Sequence, residues 1–327
     1  MIEQIRNKFS ARASKSVPLG IGDDCAILRP PRGSEILVTT DFTLENRHFR
    51  RDLHPAQSVG HRCLARGLSD IAAMGAKPLA AFMSLALPGR MLATAAGRRW
   101  IADFFDGMDS LARQHQTPLA GGDTSESPSD QILADIILVG SAPIGRSLRR
   151  SGAHPGDFLY VTGSLGGAHA ELTHLLRSKR RSRAKSAEEH AHFFPQPRLD
   201  VGSALLHRRL ATAAIDLSDG LSTDLTHLCT SSRVRAKIDA ASLPLHPLAA
   251  KLPPDQAMNA ALNGGEDYQL LFSAPANTRM AARIAGVPIT RIGELYPPST
   301  RKPLITLRHT NGQVTEVKPA GWEHFTS

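Results

Sequence analysis

The sequence predicts an α/β (α+β) protein of two domains. Three observations predict it. The chain has 327 residues, more than one ordinary hydrophobic core serves. Short β-branched runs alternate with segments of helical apolar spacing, the pattern of sheets covered by helices. A stretch rich in Gly, Arg and Ser, Gly145 to Gly156, interrupts the alternation and places the division at 1–145 and 146–327.

The elements follow in order. Ser34 to Thr40 (SEILVTT) reads as a strand ending at Asp41. Pro55 to Gly75 reads as a helix, because Val59, Cys63, Leu64, Leu68, Ile71 and Ala72 recur at helical spacing and Gly75 with Pro78 stops it. Leu79 to Leu87 is a buried strand, Ala95 to Gln114 a second amphipathic helix, and Gln131 to Gly140 another strand. In the second half, Asp157 to Thr162 is a strand and Gly166 to Leu176 a helix, followed by a polar insertion over 178–196. Ala213 to Asp216 is a short strand feeding a helix from Asp219 to Thr230. Tyr268 to Ser273 and Pro288 to Ile292 are strands, and two more close the chain around 303–308 and 313–318. No regular repeat of solenoid type is present.

Composition excludes several classes. Hydrophobic residues are 41% and charged residues 21%, which is globular rather than disordered. No apolar run reaches the length of a membrane span. The start, MIEQIRNKFS, lacks the apolar segment of a signal peptide. Cys25, Cys63 and Cys229 lie far apart without zinc or CxxC spacing, so a reducing cytoplasm is expected, with Cys25 a buried structural cysteine. The net charge is +9, part of it in Arg177 to Lys185 (RSKRRSRAK). Aromatics are only 5% of the chain and none interleaves this run, so it reads as a solvated loop, and no nucleic acid is expected.

The informative feature is where this basic chain puts its carboxylates. Asp23 and Asp24 follow Gly22; Asp41 follows Thr39 and Thr40; Asp70 follows Ser69; Asp123 follows Gly121 and Gly122; Asp216 and Asp219 flank Leu217 and Ser218. Small neighbours let phosphate and hydrated metal approach the backbone. Asp70 lies seven residues from Cys63 and eleven from Val59, hence within about 20° of both on the apolar stripe. A carboxylate there needs a cation, and Arg62 or Arg66 serves as well as a metal. Singly, each of the others reads as a turn former or helix cap, Asp219 before Leu221 for example. Together they favour a hard cation such as Mg²⁺, which takes oxygen ligands and bridges phosphates. There is no Walker A sequence and no kinase His-Arg-Asp or Asp-Phe-Gly set. The run Gly163-Ser164-Leu165-Gly166-Gly167 is a weak candidate to hold phosphate at a helix start.

These motifs resemble the thiamine-monophosphate kinase family, within the superfamily of aminoimidazole ribonucleotide synthetase-like proteins. The matching stretches are LGIGDDCAIL (19–28), VTTDFTLENRHF (38–49), LSDIAAMGAKP (68–78), GGDT (121–124), RSGAHPGDFLYVTGSLGGA (150–168), PQPR (195–198), AIDLSDGLSTDL (214–225), GGEDYQLLF (264–272) and GW (321–322). The resemblance implies a homodimer of two-domain chains whose N-terminal sheets pair. It implies several Mg²⁺ ions on Asp24, Asp41, Asp70, Asp123 and Asp216, with Asp219 near a metal and Thr39 and Thr40 adding ligands. Gly122, Asp123, Arg150 and Ser218 would contact ATP. His115 stands where the family commonly has a tyrosine, so a ring contact to the nucleotide there is weaker or different. His48, Glu266 and Trp322 would contact thiamine monophosphate. The implied reaction moves the γ-phosphoryl of ATP onto a phosphate that is already largely dianionic at neutral pH, so no general base and no covalent intermediate are expected. Another ATP-dependent synthetase of the superfamily is the alternative, although no reactive Cys with a Gly-rich segment precedes Gly22. A non-catalytic nucleic-acid-binding protein using 177–185 is the remote one.

Overall fold

The computed structural model describes residues 8–9, 15–178, 182 and 190–321. The chain forms two compact units. The first holds the described parts of Met1–Ile71, Ala76–Gly145 and Leu175–Phe194, and the second Ala72–Gly75, Arg146–His174 and the described parts of Pro195–Ser327.

In the first unit the order is β1 (Ser34–Leu44), α1 (Ala56–Ala73), β2 (Lys77–Leu87), α2 (Gly89–Ala93), α3 (Ala95–Gln114), β3 (Leu119–Glu126) and β4 (Leu133–Pro143). The strands form one sheet in the order β1-β4-β2-β3. β4 runs antiparallel to both β1 and β2, while β2 and β3 are parallel. That parallel pair requires a crossover, and α3 supplies it. One face of the sheet is covered by α1, whose Leu64, Leu68 and Ile71 are at most 1% exposed. On the open face β1 shows Ile36, Val38 and Phe42 at 44%, 66% and 61% exposure. The alternation is that of a strand with one face covered. α1 and α3 cross backbone to backbone. A Cβ at Gly60 would lie 1.8 Å from the Phe104 carbonyl oxygen, and one at Gly107 would lie 1.8 Å from that of Gln57.

Strand boundaries near the candidate aspartates differ from expectation. β1 runs on to Leu44, so Asp41 lies inside it, opposite Ile136. Continuous pairing with β4 overrides the low strand propensity of Asp. Asp123 likewise lies within β3. Cys25 is exposed rather than buried, because it sits in an irregular turn between two isolated bridges, Ile21–Asp23 and Leu19–Ile27.

The second unit contains β5 (Phe158–Thr162), α4 (Gly167–Ser178), α5 (Leu199–His207), β6 (Ala213–Asp216), α6 (Leu221–Ser232), β7 (Arg235–Asp239), α7 (Pro254–Asn263), β8 (Leu270–Ala274), β9 (Arg283–Ile284), β10 (Val287–Tyr296), β11 (Ile305–Arg308) and β12 (Val314–Glu316). Its sheet runs β12-β11-β7-β10-β5-β8-β6, with β9 paired to β10. Leu159, Val161, Leu225, Leu228, Ile238, Leu271 and Ile292 fill its core. Of the basic run, Arg177 and Ser178 end α4 and Ser182 is described, and its other members lie outside the described residues.

Candidate functional site

The first unit sets carboxylates on both faces of its sheet. Alternation along β1 turns Thr39, Asp41 and the buried Thr43 toward α1, and Thr40 and Phe42 toward the open face. Thr39 Oγ1 donates to Asp70 Oδ2 at 2.5 Å. Arg66 Nε lies 3.7 Å from Asp41 Oδ1. Arg62 instead donates to the His48 carbonyl at 2.8 Å. Burial pushes the Asp41 carboxyl up to about 6; Arg66 opposes this, and the charges of Asp70 and Asp135 add to it. The carboxyl thus stays raised in spite of the arginine beside it.

On the open face Thr40 Oγ1 donates to Asp135 Oδ1 at 2.6 Å. Asp135 was not among the sequence candidates. Its signal was there: a lone carboxylate inside the apolar run Leu133–Val139. It stands opposite Ser84, and Ser84 stands opposite Asp123, so one cross-strand row carries both carboxylates. They are two strands apart, about 10 Å. The Asp123 side chain accepts from the Thr124 N–H at 2.8 Å. Gly122 precedes it at φ 145°, and a Cβ there would lie 1.9 Å from the Met83 carbonyl oxygen, so only glycine fits. The exposed Asp24 sits in a turn whose flanks, Ala26 and Leu28, pack on Val17, Ala80 and Ala120. His48 accepts from the Leu44 N–H through Nδ1 at 2.9 Å, which sets its ring on the turn after β1. An open cleft of about 890 Å³ beside that turn is lined by Glu45, Asn46, Arg50, Arg51, Asp52 and 129–131, and contains none of the metal candidates. His115 is the C-cap of α3.

In the second unit three distant stretches are zipped together. The Leu217 N–H donates to the Gln269 carbonyl at 2.8 Å, the Tyr268 N–H to that of Leu217 at 2.9 Å, and the Glu266 N–H to that of Ser218 at 2.8 Å. Glu266 and Tyr268 take φ 67° and 47° there, left-handed values that strain a residue with a side chain. The Gly321 N–H reaches Thr223 Oγ1 at 3.1 Å, and a Cβ on Gly321 would lie 2.0 Å from the Asp219 carbonyl oxygen. So Asp216, Ser218, Asp219, Glu266 and the residue before Trp322 meet in one place. Trp322 itself lies outside the described residues. Arg150 is exposed, and its carbonyl accepts from Ser232 Oγ at 2.8 Å.

Asp219 is not the cap of α6. Gly220 holds that position without a side-chain bond. Asp224, which the sequence did not single out, accepts from the N–H groups of Asp219 at 3.2 Å and Gly220 at 3.1 Å. Burial, then the charges of Asp216 and Asp219, push its carboxyl up to about 8. The candidate phosphate loop before α4 is occupied from within. Asp267 accepts from the Gly166 N–H at 2.5 Å and the Ala168 N–H at 3.0 Å, so a carboxylate fills the anion position of that helix start. Burial raises Asp267 to about 7 despite those bonds.

Among the described residues no three His, Cys, Asp or Glu side chains converge as a ready cation cage. The donor set is nonetheless all oxygen, and the Asp41 carboxyl stays raised with Arg66 beside it. That suits a hard ion which keeps water and shares substrate phosphates, as Mg²⁺ does.

Residues 22–142 match the AIR synthase related protein, N-terminal domain, family, and residues 154–297 match the corresponding C-terminal domain family. The thiamine-monophosphate kinase of Escherichia coli is 39% identical over 318 residues, covering 95% of this chain and 93% of that protein. The crystal structure of thiamine-monophosphate kinase from Stenotrophomonas maltophilia superposes with a TM-score of 0.81 at 34% identity, covering 96% of each chain. AaThiL complexed with AMPPCP and TMP superposes with a TM-score of 0.75 at 29% identity, covering 99% of this chain and 96% of that one. Identity of this order over 95% of the chain, with both domain families matched, shows that the chain belongs to the thiamine-monophosphate kinase family.

Proposed function

We propose that this chain transfers the γ-phosphoryl of ATP directly onto the phosphate of thiamine monophosphate, with several Mg²⁺ ions, to give thiamine diphosphate and ADP. The observation that carries the reading is similarity along nearly the whole chain to an enzyme named for this reaction. A structural relative complexed with both AMPPCP and TMP supports a nucleotide and an acceptor on one protein.

The chemistry to be done is the approach of two anions. Unit charges 4 Å apart repel by about 4 kcal/mol at an effective dielectric of 20. Bound Mg²⁺ supplies neutralisation of the phosphate oxygens and an in-line template. Asp24, Thr39, Thr40, Asp41, Asp70 and Asp123 would hold it in the first unit, and Asp216 and Asp219 in the second. Gly122 would contact the nucleotide through the backbone of β3, at a position where any side chain meets the Met83 backbone. Ser218 and Arg150 contact the nucleotide, the arginine clamping phosphate oxygens, and His115 faces its ring. Glu266, held in a strained turn beside Asp216 and Asp219, pairs with the cationic acceptor, and His48 and Trp322 complete its contacts. No residue acts as a general base, since the attacking phosphate is already ionised.

The protein acts as a homodimer in this reading. Support comes from the exposed Ile36, Val38 and Phe42 on the open face of β1, an edge strand, three large apolar side chains that suit a second copy. The first domain then carries dimerisation and most of the metal ligands, and the second the acceptor contacts. A cytoplasmic location accords with three free cysteines, one of them exposed. The test is turnover of purified protein with ATP, Mg²⁺ and thiamine monophosphate, read as thiamine diphosphate plus ADP. Product with the monophosphate and none with free thiamine supports the reading. ADP without thiamine diphosphate redirects it to another acceptor of the superfamily.

A further inference from the structure

Asp224 is 2% exposed and lies one turn into α6, yet it is a carboxylate placed beside two others. Burying such a group is unfavourable unless its hydrogen bonds are made. Its Oδ2 makes two, to the backbone N–H groups of Asp219 at 3.2 Å and Gly220 at 3.1 Å. These belong to the turn that carries the chain from β6 into α6, where N–H groups lack helical partners. Gly220 turns there at φ 115° and caps the helix with no side chain, so the cap position itself cannot brace the turn.

Backbone contacts hold the preceding peptides of the turn. Tyr268 and Gln269 hold Leu217, and Glu266 holds the Ser218 carbonyl. The N–H groups of the next two residues, Asp219 and Gly220, converge on the one carboxylate oxygen of Asp224. We propose that Asp224 is a positioning residue: through those two bonds it fixes the direction in which Asp219 presents its carboxylate to the metal–phosphate site. The proposal rests on the reading of Asp216 and Asp219 as Mg²⁺ ligands.

The test separates the hydrogen bonds from the charge. Asp224→Asn keeps an oxygen acceptor and removes the charge; Asp224→Ala removes both. Two quantities are read on the full-length protein: Mn²⁺ affinity by electron paramagnetic resonance titration, and the Mg²⁺ half-saturation of turnover alongside KM for the acceptor. Loss of an outer support of a metal ligand weakens metal binding by about 10–100-fold. Asp224→Ala is therefore expected to weaken Mn²⁺ and raise the Mg²⁺ requirement by that factor, with the acceptor KM within about two-fold, and Asp224→Asn to restore most of the loss. Should Asp224→Ala fail to fold, Asp224→Glu carries the test, since it keeps the charge but displaces the oxygen, and the same loss is expected. Unchanged Mn²⁺ affinity in Asp224→Ala or Asp224→Glu overturns the proposal. Asp224→Asn as deficient as Asp219→Asn also overturns it, because the charge rather than the bracing would then matter. Asp216→Asn and Asp219→Asn are the controls: unaltered Mn²⁺ affinity in both removes the metal assignment itself, and the proposal with it.

Discussion

Replacing Asp41 by Asn is expected to stabilise the metal-free protein while abolishing turnover. The carboxyl is raised from 3.8 to about 6, chiefly by burial, with Asp70 and Asp135 adding to the effect against Arg66. About two pKa units at roughly 1.4 kcal/mol each is a penalty of about 3 kcal/mol on the ionised form. The side chain keeps 29% of its exposure, and Arg66 loses its partner in the variant, so a net gain of about 1–2 kcal/mol is expected. The sign follows from proton binding. Between pH 4 and 6 the folded wild type binds more protons at this site than the unfolded chain, so its stability falls as pH rises through that window. Below it the aspartate is protonated in both states and the penalty vanishes. Thermal melting in excess EDTA should therefore show Asp41→Asn a few degrees above wild type at pH 8 and level with it near pH 4. Added Mg²⁺ and ATP should stabilise wild type more than the variant. A variant that melts below wild type at pH 8 without metal refutes the burial argument, and one that retains near-normal turnover removes Asp41 from the metal site.

Gly60→Ala and Gly107→Ala each force a Cβ to 1.8 Å from a facing carbonyl oxygen, so each should lose about 3 kcal/mol in urea denaturation, with the helices forced apart. Gln269→Glu should stabilise the second unit: Gln269 Oε1 accepts from both Arg198 Nε and Thr162 Oγ1 at 2.8 Å, and burial has already lowered Arg198 to about 10. A gain of about 1–3 kcal/mol at pH 7 that disappears as pH falls below the carboxylate range is the expected result in chemical denaturation. Val38→Asp with Phe42→Asp should convert a dimer to a monomer in sedimentation equilibrium, and a monomeric wild type contradicts the assembly. Glu266→Gln should raise KM for thiamine monophosphate about ten-fold and leave that for ATP within about two-fold; equal effects on both remove its role as an acceptor contact.

How much was legible depended on whether a signal was local. The 3.6-residue stripe of α1 is enough to place Asp70 on the covered face, and Thr39 is what it meets there. α3 runs over the expected Ala95–Gln114 because its amphipathic spacing and its ends are encoded nearby. α5 and α7 are short, and neither was expected from the sequence. Residues whose meaning depends on a distant partner stayed silent or misled. The Gly163–Gly167 run has the composition of a phosphate loop, and only its neighbour Asp267, 101 residues beyond Gly166, shows that the site is filled from within. Asp135 looks like part of a hydrophobic strand until pairing sets it against Thr40, and Asp224 looks like a surface helix residue until α6 turns it onto its own first peptides.

By itself the sequence determined which residue types recur with small neighbours, which of the longer segments are helical, and the family, because these are properties of short windows and of their order along the chain. Tertiary structure alone decided which face of β1 each ligand candidate occupies, that Asp216, Glu266 and Gly321 share one place, and that Asp267 and Asp224 serve the backbone. Strand register and loop-to-loop hydrogen bonding are set by burial summed over the whole unit, and no short window of sequence contains that sum.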